Sequence, residues 1–453
     1  MNATLQCFSN IYSFTDFFLQ HQKEFINSGD TKYDLVKEYA VLIKNLWKLV
    51  KKDKSDETYA PNDFKKRIGE KNPLFSGFMA NDSKDLIMYV LEALHKELNE
   101  PNQEYIKKLE ADLNNQNNFQ VPQQSNEIEE HKKFSEDYYN KNKSIIQELF
   151  YGEQESFTYC HECKVNIYNF SIFSFIIFPL EKVRLSLINS NKQFENVTLE
   201  DCFEHYITEE LMTGQNQMYC NKCKRNTDFS MINKLYKHPE ILILILNRGK
   251  GLEYVVPFKY PKSIILNKYF NFENNSNYKD NNIKIEYELI SVITHLGESS
   301  DSGHFISYCK SPVDKEWYLY NDSIVSKSED PSNFSSNSNS NDNIPYVLFY
   351  QVKNQNKTQI KKSINKSINL KSSVNKKTDI TLYFKFSNEK ELYIDVKESM
   401  KFEEVVELFS KNYDIKRENY DFFSQKGIKI DFNKTVKENG LKNEDRVNVK
   451  PNQ

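Results

Sequence analysis

GHFISYCKSPVDKEWYLYND, residues 303–322, is the stretch on which the reading of this chain turns. His304 follows a glycine and opens an alternating apolar run with Phe305, Ile306 and Tyr308. The turn-like SPVDKE leads to a second run, WYLY, which ends at Asn321-Asp322. Two short apolar runs joined this way predict a hairpin. That hairpin would set the side chain of Asn321 or of Asp322 against the imidazole of His304. A base with a group that fixes its tautomer and orientation is part of a nucleophilic triad. The nucleophile is missing from the stretch, and a histidine beside an apolar strand is more often structural than catalytic.

The cysteines carry a stronger signal. They fall as Cys160-x-x-Cys163 and Cys220-x-x-Cys223, with 56 residues between the pairs. Each pair sits in a short turn, FTYCHECK and MYCNKCKRN. This spacing suits two zinc knuckles that close one tetrahedral four-cysteine site. The long separation predicts that each pair stands at the tip of its own hairpin. The competing reading is disulfides. Seven cysteines, an odd number, and no secretory segment argue for a reducing compartment instead. Cys7, Cys202 and Cys309 lie in apolar-periodic contexts and read as core thiols.

A chain of 453 residues predicts two or three domains. A formal net charge of −3 offers no basic face to a nucleic acid outside one linker. No 18-residue apolar run exists, so no membrane span is expected, and the first residues lack the pattern of a signal peptide. A cytoplasmic or nuclear location is the expectation. Helical spacing appears over residues 3–25, 34–52 and 83–99. Leu86, Val90, Leu94 and Leu98 form one stripe in the last of these, which Asp82 or Ser83 could cap. Residues 112–127 read as a loose loop. From about 148 the pattern turns to strands, interrupted by a helix over 199–211. Residues 327–342 are low in complexity and are expected to be mobile. Helices first and a long antiparallel β region after give an α+β class. Residues 353–377 form a basic polar linker, and 378–453 form a separate small domain of strand, strand, helix and short strands.

Hairpin and knuckles together resemble the ubiquitin-specific proteases, papain-like cysteine deubiquitinases, over nearly all of 1–352. MYCNKCKRNTDFSMINKLYKHPEILILILNR looks like that family's second knuckle running into its buried palm strand. ANDSKDLIMYVLEALHKEL resembles the family's Gln-Gln-Asp-Ala-x-Glu-Phe helix, with Asp82 matching and Ala80 and Asn81 in place of the glutamines. GHFISYCK, WYLYND and YVLFYQ match the palm in order. The resemblance implies a thumb, palm and fingers fold and hydrolysis of the isopeptide bond after ubiquitin's last glycine. It implies His304 as base, with Asn321 as its orienter and Asp322 beside it, assisting the oxyanion or taking Asn321's place. Asp82 would contact the basic tail of ubiquitin. Cys160, Cys163, Cys220 and Cys223 would hold one structural zinc, and no catalytic cofactor is implied. The partners implied are ubiquitin and ubiquitinated proteins, not nucleic acid or membrane.

The first motif departs from the family. Its nucleophile box runs Asn-x-Gly-Asn-Thr-Cys-Tyr-Met-Asn-x-x-Leu-Gln, whereas this chain begins MNATLQCFSN. Met1-Asn2 and Leu5-Gln6 match, which puts the nucleophilic cysteine two residues before Met1 and the oxyanion asparagine further upstream. Cys7 would lie about two turns, roughly 11 Å, inside the helix, too far to serve. Two readings follow: a sequence that starts inside the box of an active deubiquitinase, or a pseudo-enzyme that grips ubiquitin without cleaving it. The chain as written is expected to be inactive. The small domain resembles a ubiquitin-like β-grasp fold and ends at Gln453 without a Gly-Gly tail. Two readings stand for it: a passive appendage, or a module that partners the catalytic domain itself or a proteasome-type receptor.

Overall fold

Apolar residues at helical spacing in the first third of the chain build a helical layer. It comprises α1 (Asn2–Asn10), α2 (Tyr12–Asn27), α3 (Asp34–Val50), α4 (Asn62–Lys71), α5 (Ser83–Leu98), α6 (Gln103–Leu113), α7 (Glu127–Lys141) and α8 (Ile145–Phe150). This is a computed structural model, and it describes residues 1–27, 31–50, 58–77, 81–113, 126–190, 194–249, 256–271, 284–299, 302–334, 344–353, 379–386, 391–413, 419–442 and 445–451. Ala80, the linker over 354–377 and the second half of the low-complexity segment, 335–342, lie outside the described residues. The single helix expected over 3–25 is two helices, because the chain turns extended at Ile11 (φ −80°, ψ 100°). The turn lets Phe8, Ile11, Phe14 and Phe18 all reach one core, while Tyr12 stays outside. Phe8 and Phe14 meet edge to face at 5.9 Å, a favoured aromatic geometry.

In α5 the stripe Leu86, Val90, Leu94 and Leu98 is buried as its spacing requires. Asp82 is the N-cap and accepts from the Lys84 backbone N–H at 2.9 Å. Helices α4, α6, α7 and α8 were not expected from the sequence. In α7 no residue is buried, so no apolar stripe announces it.

The strands of the fingers follow as β1 (Gly152–Cys160) and β2 (Asn166–Phe173). Then come β3 (Ile176–Pro179), α9 (Leu180–Asn189), β4 (Val197–Thr198) and α10 (Leu199–Tyr206). The helix expected over 199–211 therefore ends early. Its last residues become β5 (Glu210–Met212), which pairs with the edge of a finger strand. Next are β6 (Met218–Cys220), β7 (Arg225–Thr227), β8 (Phe229–Lys237), β9 (Ile241–Asn247), β10 (Phe258–Lys259) and β11 (Ser263–Ile265). The palm is completed by β12 (Glu286–Ser299), β13 (Ser302–Lys310), β14 (Trp317–Asn321), β15 (Ile324–Ser328) and β16 (Ile344–Val352). The strand β15 and a turn at Pro331–Asn333 occupy the start of the segment expected to be mobile.

The palm sheet has the order β15-β14-β13-β12-β16-β9-β3, with β11 beside β12. The run Ile241–Leu246 lies between β16 and β3 and is buried on both faces, as an all-apolar strand must be. One face of the sheet packs on the helical layer and the other on α9 and α10. The fingers form a second sheet, β2-β1-β8-β5, with the β6–β7 hairpin at the knuckles.

The chain divides into two compact units, Met1–Lys361 and Lys362–Gln453. In the second, β17 (Asp379–Phe386), β18 (Glu391–Lys397), α11 (Phe402–Tyr413), β19 (Tyr420–Phe423) and β20 (Arg446–Pro451) form a sheet of order β18-β17-β20-β19 and one helix. The central pair β17–β20 is parallel. Phe402, Val405, Val406 and Phe409 of the helix pack on Leu382, Phe384, Val447 and Val449 of the sheet.

Candidate catalytic site and four-cysteine centre

The β13–β14 hairpin forms where its sequence placed it. Ser311 N–H bonds to Glu316 O at 2.8 Å across the turn, and Lys315 takes the left-handed conformation (φ +64°). The pairing sets His304 near the open end of β13 and Asn321 at the end of β14. The imidazole Nε2 of His304 lies 2.8 Å from Asn321 Oδ1 and 3.5 Å from Asp322 Oδ2. Both oxygens can only accept. The neutral ring therefore carries its proton on Nε2, and Nδ1 is left with the lone pair a general base needs.

Asp322 is held from two sides. It adopts φ +51° in the tight turn to β15, a conformation aspartate tolerates better than most residues. Its carboxylate accepts from Asn2 Nδ2 at 2.5 Å, and its carbonyl accepts from Gln6 Nε2 at 3.0 Å. Gln6 Oε1 in turn accepts from Ser307 Oγ at 3.3 Å. Asn2 and Gln6 stand four residues apart on one face of α1, so the head of α1 is fastened to the His304 hairpin. Sequence reading matched these two residues to a motif but gave them no contact. A polar pair at this spacing in a helix otherwise buried was the available signal.

Cys7 faces the interior of α1. Its Sγ lies 3.8 Å from Cys309 Sγ, both side chains are fully buried, and burial pushes the Cys7 thiol well above its usual range. A thiol in that state is inert. Asp82 joins the helical layer to the palm: Tyr346 donates its hydroxyl to Asp82 Oδ2 at 2.5 Å, and Lys84 Nζ lies 3.2 Å from the same oxygen.

The four cysteines of the fingers come together. Their sulfurs all lie within 4.8 Å of one another. The two knuckles have the same local shape. Lys164 N–H bonds to Cys160 O at 3.0 Å and Lys224 N–H to Cys220 O at 2.8 Å. Both lysines are left-handed, at φ +61° and +58°. Four thiolates around zinc at about 2.3 Å would stand about 3.8 Å apart, and Cys163 Sγ and Cys220 Sγ are 3.5 Å apart. All seven cysteines are free thiols. Burial acts to raise the Cys160 thiol, yet hydrogen bonds from Thr227 and from the Cys163 and Glu162 backbone bring it down to about 6. Burial and the neighbouring thiols push Cys223 up to about 12. Thiols that oppose one another's ionisation are a donor set that a divalent cation satisfies.

A mixed helix-and-sheet unit with a histidine–asparagine pair facing the head of a helix defines a papain-like arrangement. The comparison with known proteins agrees. The model of the family described as "Ubiquitin carboxyl-terminal hydrolase" matches residues 1–350, and the chain belongs to that family. Among curated relatives, ubiquitin carboxyl-terminal hydrolase 2 of Bos taurus is 26% identical over 333 residues, covering 72% of this chain and 50% of the relative. Ubiquitin carboxyl-terminal hydrolase 21 of Homo sapiens is 26% identical over 344 residues, covering 72% of this chain and 56% of the relative. The chain thus spans about half the length of these relatives. Among solved structures, the SAGA Ubp8/Sgf11/Sus1/Sgf73 DUB module bound to ubiquitin aldehyde aligns with TM-score 0.54 and 17% identity, over 79% of this chain and 68% of that one. That likeness shows the fold. Among the described residues, no helix is long and apolar enough to cross a membrane.

Proposed function

We propose that this chain is the ubiquitin-handling part of a cysteine-type deubiquitinase that hydrolyses the isopeptide bond after ubiquitin's terminal glycine. The observation that carries the reading is the His304–Asn321 pair at 2.8 Å, set beside the head of α1 through Asn2 and Asp322. A papain-type nucleophile sits at a helix N-terminus, where the macrodipole favours the thiolate. In this reading a cysteine two residues ahead of Met1 attacks the carbonyl carbon. The carbon–nitrogen bond breaks, the lysine amine leaves with the proton that His304 took from the thiol, and water then hydrolyses the thioester. Asn321 fixes the His304 tautomer. Asp322, further from the ring and bonded to Asn2, ties hairpin to helix. Asp82 meets the basic tail of ubiquitin, with Tyr346 and Lys84 orienting its carboxylate.

In the same reading Cys160, Cys163, Cys220 and Cys223 hold one structural zinc, whose binding would fix the two knuckles to each other. Four thiolates leave no open coordination position for chemistry. The second unit is a ubiquitin-like β-grasp domain, supported by its parallel central strands and single packed helix.

A second reading, ubiquitin binding without turnover, is favoured for the chain itself by the buried state of Cys7. Two measurements test both. Calorimetry of the chain with mono-ubiquitin is expected to show binding, and no heat at high micromolar concentration would sink both readings. A chain extended with Asn-x-Gly-Asn-Thr-Cys-Tyr ahead of Met1 is expected to cleave a fluorogenic ubiquitin substrate and to lose that activity with His304→Ala. Cleavage that survives His304→Ala would overturn the catalytic assignment.

A further inference from the structure

A second histidine stands beside the first, and the reaction outlined above gives it no part. His295 lies in β12, and only 4% of it is exposed. The strand register pairs His295 with Phe305 and Leu296 with His304. The His295 ring meets Phe305 edge-on at 4.8 Å. Its other edge lies over Gly303: a Cβ at that glycine would stand 2.3 Å from both Cε1 and Nε2 of His295. Gly303 also has φ +154°, so this position excludes a side chain on two counts. The residues on both sides of His304 thus grip one imidazole.

Burial lowers the His295 pKa, the Asp82 charge acts upward and the His304 charge downward, with a net lowering. Asp82 accepts from Tyr346, whose ring packs on Phe305 at 5.3 Å. The packing runs from His295 to Phe305, from Phe305 to Tyr346, and from Tyr346 by its hydroxyl to Asp82, so the residue after His304 stands between His295 and the helical layer. An apolar side chain would fill this space without the cost of burying a polar ring. A neutral imidazole fills it and adds no positive charge beside an imidazolium at His304.

We propose that His295 is a positioning residue of this site: its buried ring, wedged against Gly303 and Phe305, sets the orientation of His304. The inference rests on the reading of His304 as the base, and its test does not require turnover.

The test is nitrogen NMR of the full chain with its 8 histidines labelled, His304→Gln serving to assign the His304 signals. The native chain is expected to show His304 as a single neutral tautomer with the proton on Nε2. In His295→Ala the tautomer ratio is expected to fall at least about threefold, as a base freed from one orientation samples others. The His95 and His161 signals should stay in place, and tryptophan fluorescence should report an intact fold. If His295→Ala does not fold, His295→Asn, which keeps a polar group and removes the ring, is expected to give the same fall. His295→Phe, which refills the wedge, should restore the ratio if ring shape carries the effect. Failure of that rescue assigns the effect to the nitrogens and leaves His295 as the positioning residue. An unchanged ratio in a folded His295→Ala or His295→Asn protein overturns the inference. Mono-ubiquitin binding by the native chain separates the two claims. Binding with no tautomer change defeats the positioning role alone, and a tautomer change without binding defeats the functional reading alone.

Discussion

Glu97 offers the sharpest test of how the helical layer is held. It sits in the last turn of α5, where an acid opposes its own helix dipole. Its carboxylate reaches instead to the first turn of α3, accepting from Leu35 N–H at 2.8 and 3.1 Å and from Val36 N–H at 2.9 Å. Lys71 Nζ completes the cluster at 3.1 Å. Glu97→Ala leaves two backbone donors of α3 without this acceptor. Each charge-assisted bond contributes about 1.5–3 kcal/mol. Lys71 and Asp34, 3.3 Å apart and partly exposed, take up some of the loss. A net cost of about 3 kcal/mol follows. Glu97→Gln keeps an acceptor oxygen but no charge, and about half that cost is expected. At roughly 2 °C per kcal/mol for a unit of this size, the melting midpoint should fall by about 6 and 3 °C. Tryptophan fluorescence is the assay, because Trp47 and Trp317 are the chain's 2 tryptophans and both lie in the first unit. Trp47 belongs to α3 and donates to Ser9 O at 3.2 Å. An unchanged midpoint in Glu97→Ala would refute the reasoning, and equal losses in the two variants would show that side-chain shape, not charge, is at work.

The purified chain should carry one zinc by elemental analysis. Cys223→Ser should release it and raise amide exchange in β6 and β7, and metal content unchanged by that substitution would exclude the four-cysteine site. Glu153 predicts a pH response at the base of the fingers. Burial acts to raise this carboxyl, but His131 at 2.7 Å, Lys237 and the Tyr139 hydroxyl hold it below its ordinary value of 4.5. A depressed carboxyl stabilises the fold above its unfolded pKa, and that contribution is lost as pH falls through the lowered folded value. Acidification below about 4.5 should therefore loosen α7 from β1. Glu155, one position further along the same face, is raised by burial and acts in the opposite sense. Hydrogen exchange of α7 in native and Glu153→Gln chains separates them: the native loss of protection on acidification should be smaller in the variant, and identical profiles would remove Glu153 from the account.

The parts of the fold legible in the sequence are those where one residue type serves one physical demand. Ile241–Leu246 is apolar throughout because both faces of β9 are covered. The α5 stripe has helical spacing because one face alone meets the core. Helix α7 was not legible for the converse reason. With no buried residue of its own, it is fastened through His131 and Tyr139 to Glu153, a glutamate whose burial no local pattern reveals. The break at Ile11 was hidden because residues on both sides carry helical spacing, and only the shared core of Phe8 and Phe14 shows that one straight helix does not serve both.

The site divides along the same line. His304, Asn321 and the four cysteines lie in short segments whose spacing fixes their geometry, so a hairpin and two knuckles bring them together. Asn2, Gln6 and His295 depend on packing between segments some 300 residues apart for the first two, and between neighbouring strands for the third. Gly303 shows why such contacts stay hidden. A glycine before a histidine carries no signal of its own in the sequence, yet its neighbours on β12 leave no room for a Cβ, and the atoms nearest that missing Cβ are those of the His295 ring. The glycine marks where one imidazole approaches the backbone that carries another. In this chain the placement of the candidate base is a property of β12 and α1 as much as of the hairpin on which it stands.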